Sequence, residues 1–349
     1  MTSVATTGLH VRSLADSDRP RWDAFVQGCA GASFFHLSAW RSLIAEVFGH
    51  RPHYLYAERD GVIVAVLPLV EVKSRLFGHA LTSLPFAVYG GIAGDDIPAR
   101  ALLEAHADAL AQQLGVSHLE YRNVQPAHAD WPRQDLYVTF RKELLPDEEA
   151  NMLAIPRKQR AMVRKGIGNN LIASQDADVD RFFSVYADNV RRHGTPAMPK
   201  KWFAALRDTF GNDCEVLTVT DAGGQSLSSV LSFYFRGEIL PYYAGDMPAA
   251  RDLAANDFKY WSLMQRALAR GCHLFDYGRS KVGTGPYSFK KNWGFTPQPL
   301  SYEYRLYKRE AVPQNNPNNP KFRAFIAMWK RLPLPVANTL GPFIVRNLG

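Results

Sequence analysis

Cysteine is scarce in this chain. The three present, Cys29, Cys214 and Cys272, are odd in number, widely spaced and free of any Cys-x-x-Cys pair. A disulfide framework and a zinc knuckle are therefore not expected, and a reducing compartment is. Long apolar runs are missing as well. No stretch of eighteen apolar residues occurs, so no segment reads as a bilayer span. The opening MTSVATTGLHVRSLADSDRP lacks the basic start and apolar run of a signal peptide, and the expected location is the cytoplasm. The histidines show no His-Glu-x-x-His or similar spacing, so no metal site is expected. There is no Gly-x-Gly-x-x-Gly after a strand, no P-loop and no Gly-x-Ser-x-Gly elbow. Those absences argue against dinucleotide binding, P-loop chemistry and a serine triad.

What is present suits a two-domain protein. A length of 349 residues exceeds one typical domain. A hydrophobic share of 46% supplies enough apolar residues for a sizeable core. The net charge of +8 favours anionic partners such as phosphates, nucleic acid or an acidic membrane surface.

The halves repeat one another. Trp40 runs to Phe48-Gly49 and Trp202 to Phe210-Gly211, each a helix ended by glycine. Each is followed by a strand, a turn and a strand, HYLYAERDGVIVAVLPLV (53–70) and EVLTVTDAGGQSLSSVLSFYF (215–235). Tyr-plus-glycine strand ends come next, FAVYGGIAG (86–94) and PYYAGDMP (241–248). Then come helices with Leu103, His106, Leu110 and Leu114, or Trp261, Met264 and Leu268, at helical spacing. The helices end at Gly115 and Gly271. Five residues beyond each lies an acid before tyrosine, Glu120-Tyr121 and Asp276-Tyr277. The expected fold is α/β (α+β mixed), two domains each with a mixed sheet flanked by helices. The expected boundaries are 1–150, 151–310 and a Pro/Asn linker with a basic, aromatic extension over 311–349.

Three constellations carry candidate chemistry. In the linker, Arg157-Lys-Gln-Arg-Ala-Met-Val-Arg-Lys165 places Arg157, Arg160 and Arg164 on one helical face, with no Asp or Glu from Ala150 through Gln175. That face reads as a phosphate or nucleic-acid grip; a solvated surface is the competing reading. The second constellation is DYGRSKVGTGPYSFKKNWGF (276–295), where a strand ends in an acid and opens into a glycine-rich turn holding Arg279, Ser280 and Lys281. Glycines admit a ligand close to the backbone, a cation stabilises an oxyanion and Asp276 takes or relays a proton. The third is Tyr242-Tyr243-Ala-Gly-Asp246 facing the start of a helix with Asn256, Asp257, Lys259, Tyr260 and Trp261. A buried tyrosine pair is its bland alternative.

Taken together, IPRKQRAMVRKG (155–166), YYAGD (242–246), FKYW (258–261), the 276–295 string and PQPLSYEYRL (297–306) resemble the FemAB-like acyltransferases, in particular the group associated with exosortase and PEP-CTERM gene clusters. The resemblance implies two tandem domains of the Gcn5-related N-acetyltransferase type. It further implies transfer of an acyl or aminoacyl group to an amine of a cell-envelope or exopolysaccharide precursor. Phe289-Lys290-Lys291-Asn292-Trp293-Gly294 matches the family's Phe-Lys-x-x-(Phe/Trp)-Gly, which gives Lys290 the stabilisation of a carbonyl oxyanion or donor phosphate. Asp276, Lys290 and Arg279 are the expected catalytic residues. Arg157, Arg160, Arg164, Tyr243, Tyr260, Tyr277, Lys291 and Trp293 are the expected substrate contacts. No tightly bound cofactor is implied; the co-substrate is acyl-CoA or aminoacyl-tRNA, and tRNA is a candidate partner. The rival reading is a non-catalytic RNA- or precursor-binding protein that uses the 157–165 helix. In the tail, Phe322, Phe325 and Trp329 alternate with Lys321, Arg323, Lys330 and Arg331, which reads as a peripheral membrane contact within 321–349 or as a segment packed back on the domain.

Overall fold

A computed structural model describes residues 8–74, 78–313 and 320–347, with side chains from 323 in the tail. The chain forms two compact units. One holds Met1–Asp135, Leu300–Pro313 and Asn347–Gly349, the other Leu136–Pro299 and Gln314–Arg346.

The first half runs β1 (Leu9–Ser13), α1 (Arg19–Gly28), α2 (Ala39–Phe48), β2 (Arg51–Arg59), β3 (Val62–Ser74), β4 (Gly78–Thr82), α3 (Ile97–Leu114), β5 (His118–Asn123) and β6 (Arg133–Gln134). The second runs β7 (Tyr137–Glu143), α4 (Glu148–Ala154), α5 (Arg157–Gly168), β8 (Ile172–Gln175), α6 (Asp180–His193), α7 (Lys200–Phe210), β9 (Cys214–Thr220), β10 (Ser226–Phe235), β11 (Glu238–Asp246), α8 (Ala255–Ala269), β12 (Leu274–Asp276), β13 (Ser280–Lys281), α9 (Gly285–Asn292) and β14 (Pro297–Pro299). β15 (Ser301–Leu306), α10 (Pro320–Arg331) and α11 (Leu334–Val345) follow.

The order β1-α1-α2-β2-β3-β4-α3-β5 recurs as β8-α6-α7-β9-β10-β11-α8-β12. Both units are mixed sheets flanked by helices, as the repeat implied. In each, an antiparallel series ends in one parallel pair, β4 with β5 and β11 with β12. The sheet orders are β1-β2-β3-β4-β5-β15-β6 and β13-β7-β12-β11-β10-β9-β8, with β14 also on β7. The β2–β3 turn places Asp60 and Gly61 at φ 50° and 80°, the paired left-handed geometry that matches strand twist.

The units depart from the expected boundaries at 150 and 310. In each sheet the strand beside the last strand of the repeat falls within the other expected domain, β15 inside 151–310 and β7 inside 1–150. β15 pairs antiparallel with β5, and β7 pairs antiparallel with β12. The supposed linker therefore begins with a sheet strand, and the 311–349 extension is not a separate body: α10 and α11 belong to the second unit and pack on α6. The Pro/Asn run over 314–319 and the side chains of Lys321 and Phe322 lie outside the described residues.

The first core gathers Leu67, Leu69, Leu81, Leu119 and Tyr121 under the small-residue face of α3, formed by Ala99, Leu103, Ala107 and Ala111. His106 is exposed, one face away from where the spacing put it. The second core gathers Phe140, Val163, Ile239, Leu263, Phe275, Tyr277 and Trp293. Among the described residues no helix is long and apolar enough to cross a membrane.

Candidate active site

The site is built where the second sheet opens. β11 and β12 pair only at Glu238↔Leu274 and Ile239↔Phe275, after which β11 runs on to Asp246 while β12 stops at Asp276. Beyond β12 the chain turns at Gly278, whose φ of 63° needs a glycine, and reaches α9 through Gly283 and Thr284.

Asp276 is a clamp at the end of β12. Its side chain is fully buried, accepts a 2.7 Å hydrogen bond from the Gly278 amide and pairs with Arg141 Nε at 3.3 Å. Arg141 reaches on to Glu238 Oε1 at 2.6 Å, so β7 ties β12 and β11 together. With no exposed surface, the Asp276 carboxylate is placed to hold the turn, whereas a base must meet substrate directly.

Lys290 projects from the last turn of α9 back onto the same turn. Its ammonium donates to the carbonyls of Tyr277, Gly278 and Arg279 at 2.7, 3.0 and 3.2 Å. A lysine has three N–H donors, and these contacts use them all. Burial pushes its pKa down from 10.5 to about 7, with Asp276 opposing and Arg279 adding to the fall. Arg279 lies 4.4 Å above the Tyr137 ring, and Lys281 5.7 Å from it. Burial, then the charge of Arg279, lower Lys281 to about 8. Lys291 is exposed, with its ammonium 5.5 Å from the Tyr287 ring.

Tyr260, Tyr277 and Trp293 form one aromatic cluster with Phe289; the Tyr260 and Tyr277 rings meet edge-on at 4.8 Å. The Tyr277 hydroxyl is buried without a hydrogen-bond partner among the described residues, and burial holds it well above the usual tyrosine range. Trp293 has no exposed surface and donates from Nε1 to Asp257 Oδ1 at 2.9 Å, so it is a core residue here rather than a substrate contact. Tyr243 accepts a hydrogen bond from Trp202 Nε1 at 3.1 Å and packs against Phe203 and Tyr186. Tyr242 and Tyr243 are each only part-buried.

Asp257 joins the two main constellations. Besides Trp293 it accepts a hydrogen bond from Gln159 of the basic helix α5, while burial raises its own pKa. α5 also meets α8 closely: a Cβ on Gly166 would come within 2.7 Å of Phe258 Cβ. The helix is thereby docked on the active unit by Gln159, Val163 and Gly166. Arg157 and Arg164 are exposed and Arg160 half-exposed, and no ion pair engages any of the three among the described residues.

The sequence named Asp246 and Lys259 in one constellation, at the end of β11 and the start of α8, but gave neither a role. Lys259 is completely buried and reaches Asp246 Oδ1 at 3.2 Å; the Ser228 hydroxyl donates to the same oxygen. Burial lowers the Lys259 pKa against the pull of Asp246. Asp246 is about one-third exposed, and its Oδ2 has no hydrogen-bond partner among the described residues. The YYAGD string named this aspartate, but only the fold shows a lysine buried beneath it. Among the described residues no group of three or more His, Cys, Asp or Glu side chains is placed to hold a metal ion.

Residues 153–291 match the family model described as an acetyltransferase (GNAT) domain. No curated protein matches the chain by sequence. Among solved structures the fold is shared with FemX, at TM-score 0.66 and 13% identity over 86% of this chain and 98% of that one. It is shared with L-PGS from Bacillus licheniformis, at TM-score 0.56 and 13% identity over 95% and 97%. It is also shared with a tandem GNAT protein from the clavulanic acid biosynthesis pathway, at TM-score 0.56 and 13% identity over 88% and 100%. The second unit thus carries a GNAT-type domain, within a fold like that of tandem GNAT proteins.

Proposed function

We propose that the second unit is an N-acyltransferase. It moves an acyl or aminoacyl group from a thioester or ester onto an amine, the acceptor being a cell-envelope or exopolysaccharide precursor. The observation that carries the reading is Asp246, a carboxylate with one oxygen held by Lys259 and Ser228 and the other without a partner, at the mouth of an opened sheet in a GNAT-type domain. An amine attacks a carbonyl only after shedding a proton. Asp246 accepts that proton as the carbon–nitrogen bond forms, and the tetrahedral intermediate collapses by expelling the thiolate or alkoxide of the donor. Asp276 and Lys290 act through the 277–279 backbone, which they hold from two sides. Arg279 and Lys291, with Arg157, Arg160 and Arg164 on α5, supply the positive charge that acyl-CoA, aminoacyl-tRNA or a phosphate-bearing acceptor requires. The FemAB-like string 289–294 supports the envelope acceptor.

The test is a donor screen by mass spectrometry, with acyl-CoA thioesters and charged tRNA offered to amino-sugar and peptide acceptors. With the productive pair, Asp246→Asn lowers kcat on the order of 10²-fold or more, and Lys290→Ala, by releasing the 277–279 backbone, lowers it by a similar factor, about 10²-fold. Full-rate transfer by a folded Asp246→Asn protein would remove that residue from the mechanism. The exposed, unpaired cations of α5 favour a second reading, a non-catalytic RNA or precursor binder. Binding that persists in an Asp246→Asn/Lys290→Ala double variant, with no transfer from any donor to any acceptor, selects it.

A further inference from the structure

The tail carries a surface that the transferase reading does not use. α11 contains no charged residue, LPVANTLGPFIV. Its inner face, Ala337, Gly341 and Val345, is buried; a Cβ on Gly341 would meet the Ala197 backbone at 3.0 Å, so this side is seated hard against the unit. Its outer face is equally apolar. Val336, Leu340 and Phe343, at helical spacing, are 42%, 45% and 65% exposed. Of the two polar side chains of this helix, Asn338 is half-buried and Thr339 turns its hydroxyl back to the Pro335 carbonyl at 2.9 Å. A helix face this apolar is ordinarily covered.

The position of the tail makes this surface a fixed one. Arg191 of α6 donates to the Lys330 carbonyl at 3.0 Å, and a Cβ on Gly194 would collide with Ile326 at 2.5 Å. Trp329 is buried and Phe325 stacks on it at 5.4 Å. Of the aromatics that the sequence offered as membrane anchors on α10, Phe325 and Trp329 therefore turn partly or wholly inward, and the outward apolar residues among those described are those of α11 with Met328, 54% exposed.

We propose that α11 docks this chain on an anionic lipid surface. Charge selects that occupant. Residues 311–349 contain no Asp or Glu, and Arg323, Lys330 and Arg331 are exposed. An apolar helical face in a tail whose charged side chains are all basic binds an interface through apolar burial and attraction to acidic headgroups. A two-fold contact between copies would instead face one basic rim with another.

Co-sedimentation of the full chain with vesicles of neutral phosphatidylcholine, with and without added phosphatidylglycerol, tests this. The wild-type chain pellets with the anionic vesicles, and pelleting weakens as salt rises toward about 0.5 M. Val336→Ser/Leu340→Ser/Phe343→Ser, three exposed changes checked for folding by circular dichroism, lowers partitioning at least about tenfold. Arg323→Gln/Lys330→Gln/Arg331→Gln, which leaves the apolar face intact, removes the preference for anionic over neutral vesicles. The proposal is overturned if wild-type chain stays in the supernatant with every vesicle, or if the serine variant pellets like wild type. It is equally overturned if wild type self-associates with rising concentration and the serine variant is monomeric, which would make the face a contact between copies.

Discussion

Lys290 is held by opposing effects. Burial disfavours its ammonium, yet three carbonyls surround it and only the ammonium offers three donors to them. Replacing it by methionine leaves those carbonyls short of a partner, at roughly 1–3 kcal/mol for each that water cannot reach. The pH dependence separates the charge from the packing. The unfolded residue holds its proton up to about 10.5 and the folded one only up to about 7. Between those values the unfolded state binds more protons, so the stability associated with this residue rises with pH across that window. Lys290→Met, although less stable overall, loses that rise. Urea unfolding from pH 6.5 to 10 measures it, and equal slopes for the two proteins would show that the buried amine is not titrating there. The Phe-Lys-x-x-Trp-Gly string made Lys290 visible in the sequence. What it touches was not visible, because the carbonyls at 277–279 are brought to it by a turn and not by spacing.

At the scale of elements, the approach of α6 to β11 positions Asp246. Gly245 sits under that helix: a Cβ there would lie 2.7 Å from Tyr186 Cα and 2.9 Å from the Val185 carbonyl. Both are backbone atoms, so neither can rotate away. Gly245→Ala is expected to cost about 2 kcal/mol by overpacking and to lower turnover by displacing the neighbouring carboxylate. Gly223→Ala, in an exposed turn where the nearest contact would be 3.4 Å, serves as the near-neutral control. Thermal unfolding of the two variants checks the difference; equal midpoints would mean that the sheet yields. Elements of this kind were largely legible. Trp40 and Trp202 each head a helix closed by Gly49 or Gly211, and Gly115 and Gly271 take the left-handed φ expected beyond a helix end. The faces were less so. Spacing marked His106 as part of the α3 stripe, but alanine does the packing, because a small side chain lets a helix settle closest to a sheet.

The whole molecule turns on the exchanged strands, and these could not be read from local pattern. YVTFRKE and SYEYRL look like strands, but nothing in their own residues states which sheet they join. The interior of the first unit depends on β15. Tyr302, Glu303 and Tyr304 are all buried, and Glu303 accepts from the Asn123 amide at 2.8 Å and the Ala127 backbone at 2.9 Å. A fragment ending at residue 135 therefore loses a buried acceptor and exposes the edge of β5, an invitation to aggregate. It is expected to be recovered largely in aggregates. The register supplies the remedy. Tyr302 lies opposite Gln134 and Glu303 opposite Arg133, so Asp135 and Ser301 come abreast and a short Gly/Ser turn can join 135 to 300 as a hairpin. The fragment 1–135 extended in this way by residues 300–313 is expected to be monomeric and to unfold cooperatively. Sizing chromatography and urea titration of both fragments decide it: a monomeric, cooperative 1–135 would mean that the first sheet does not need the strand it borrows.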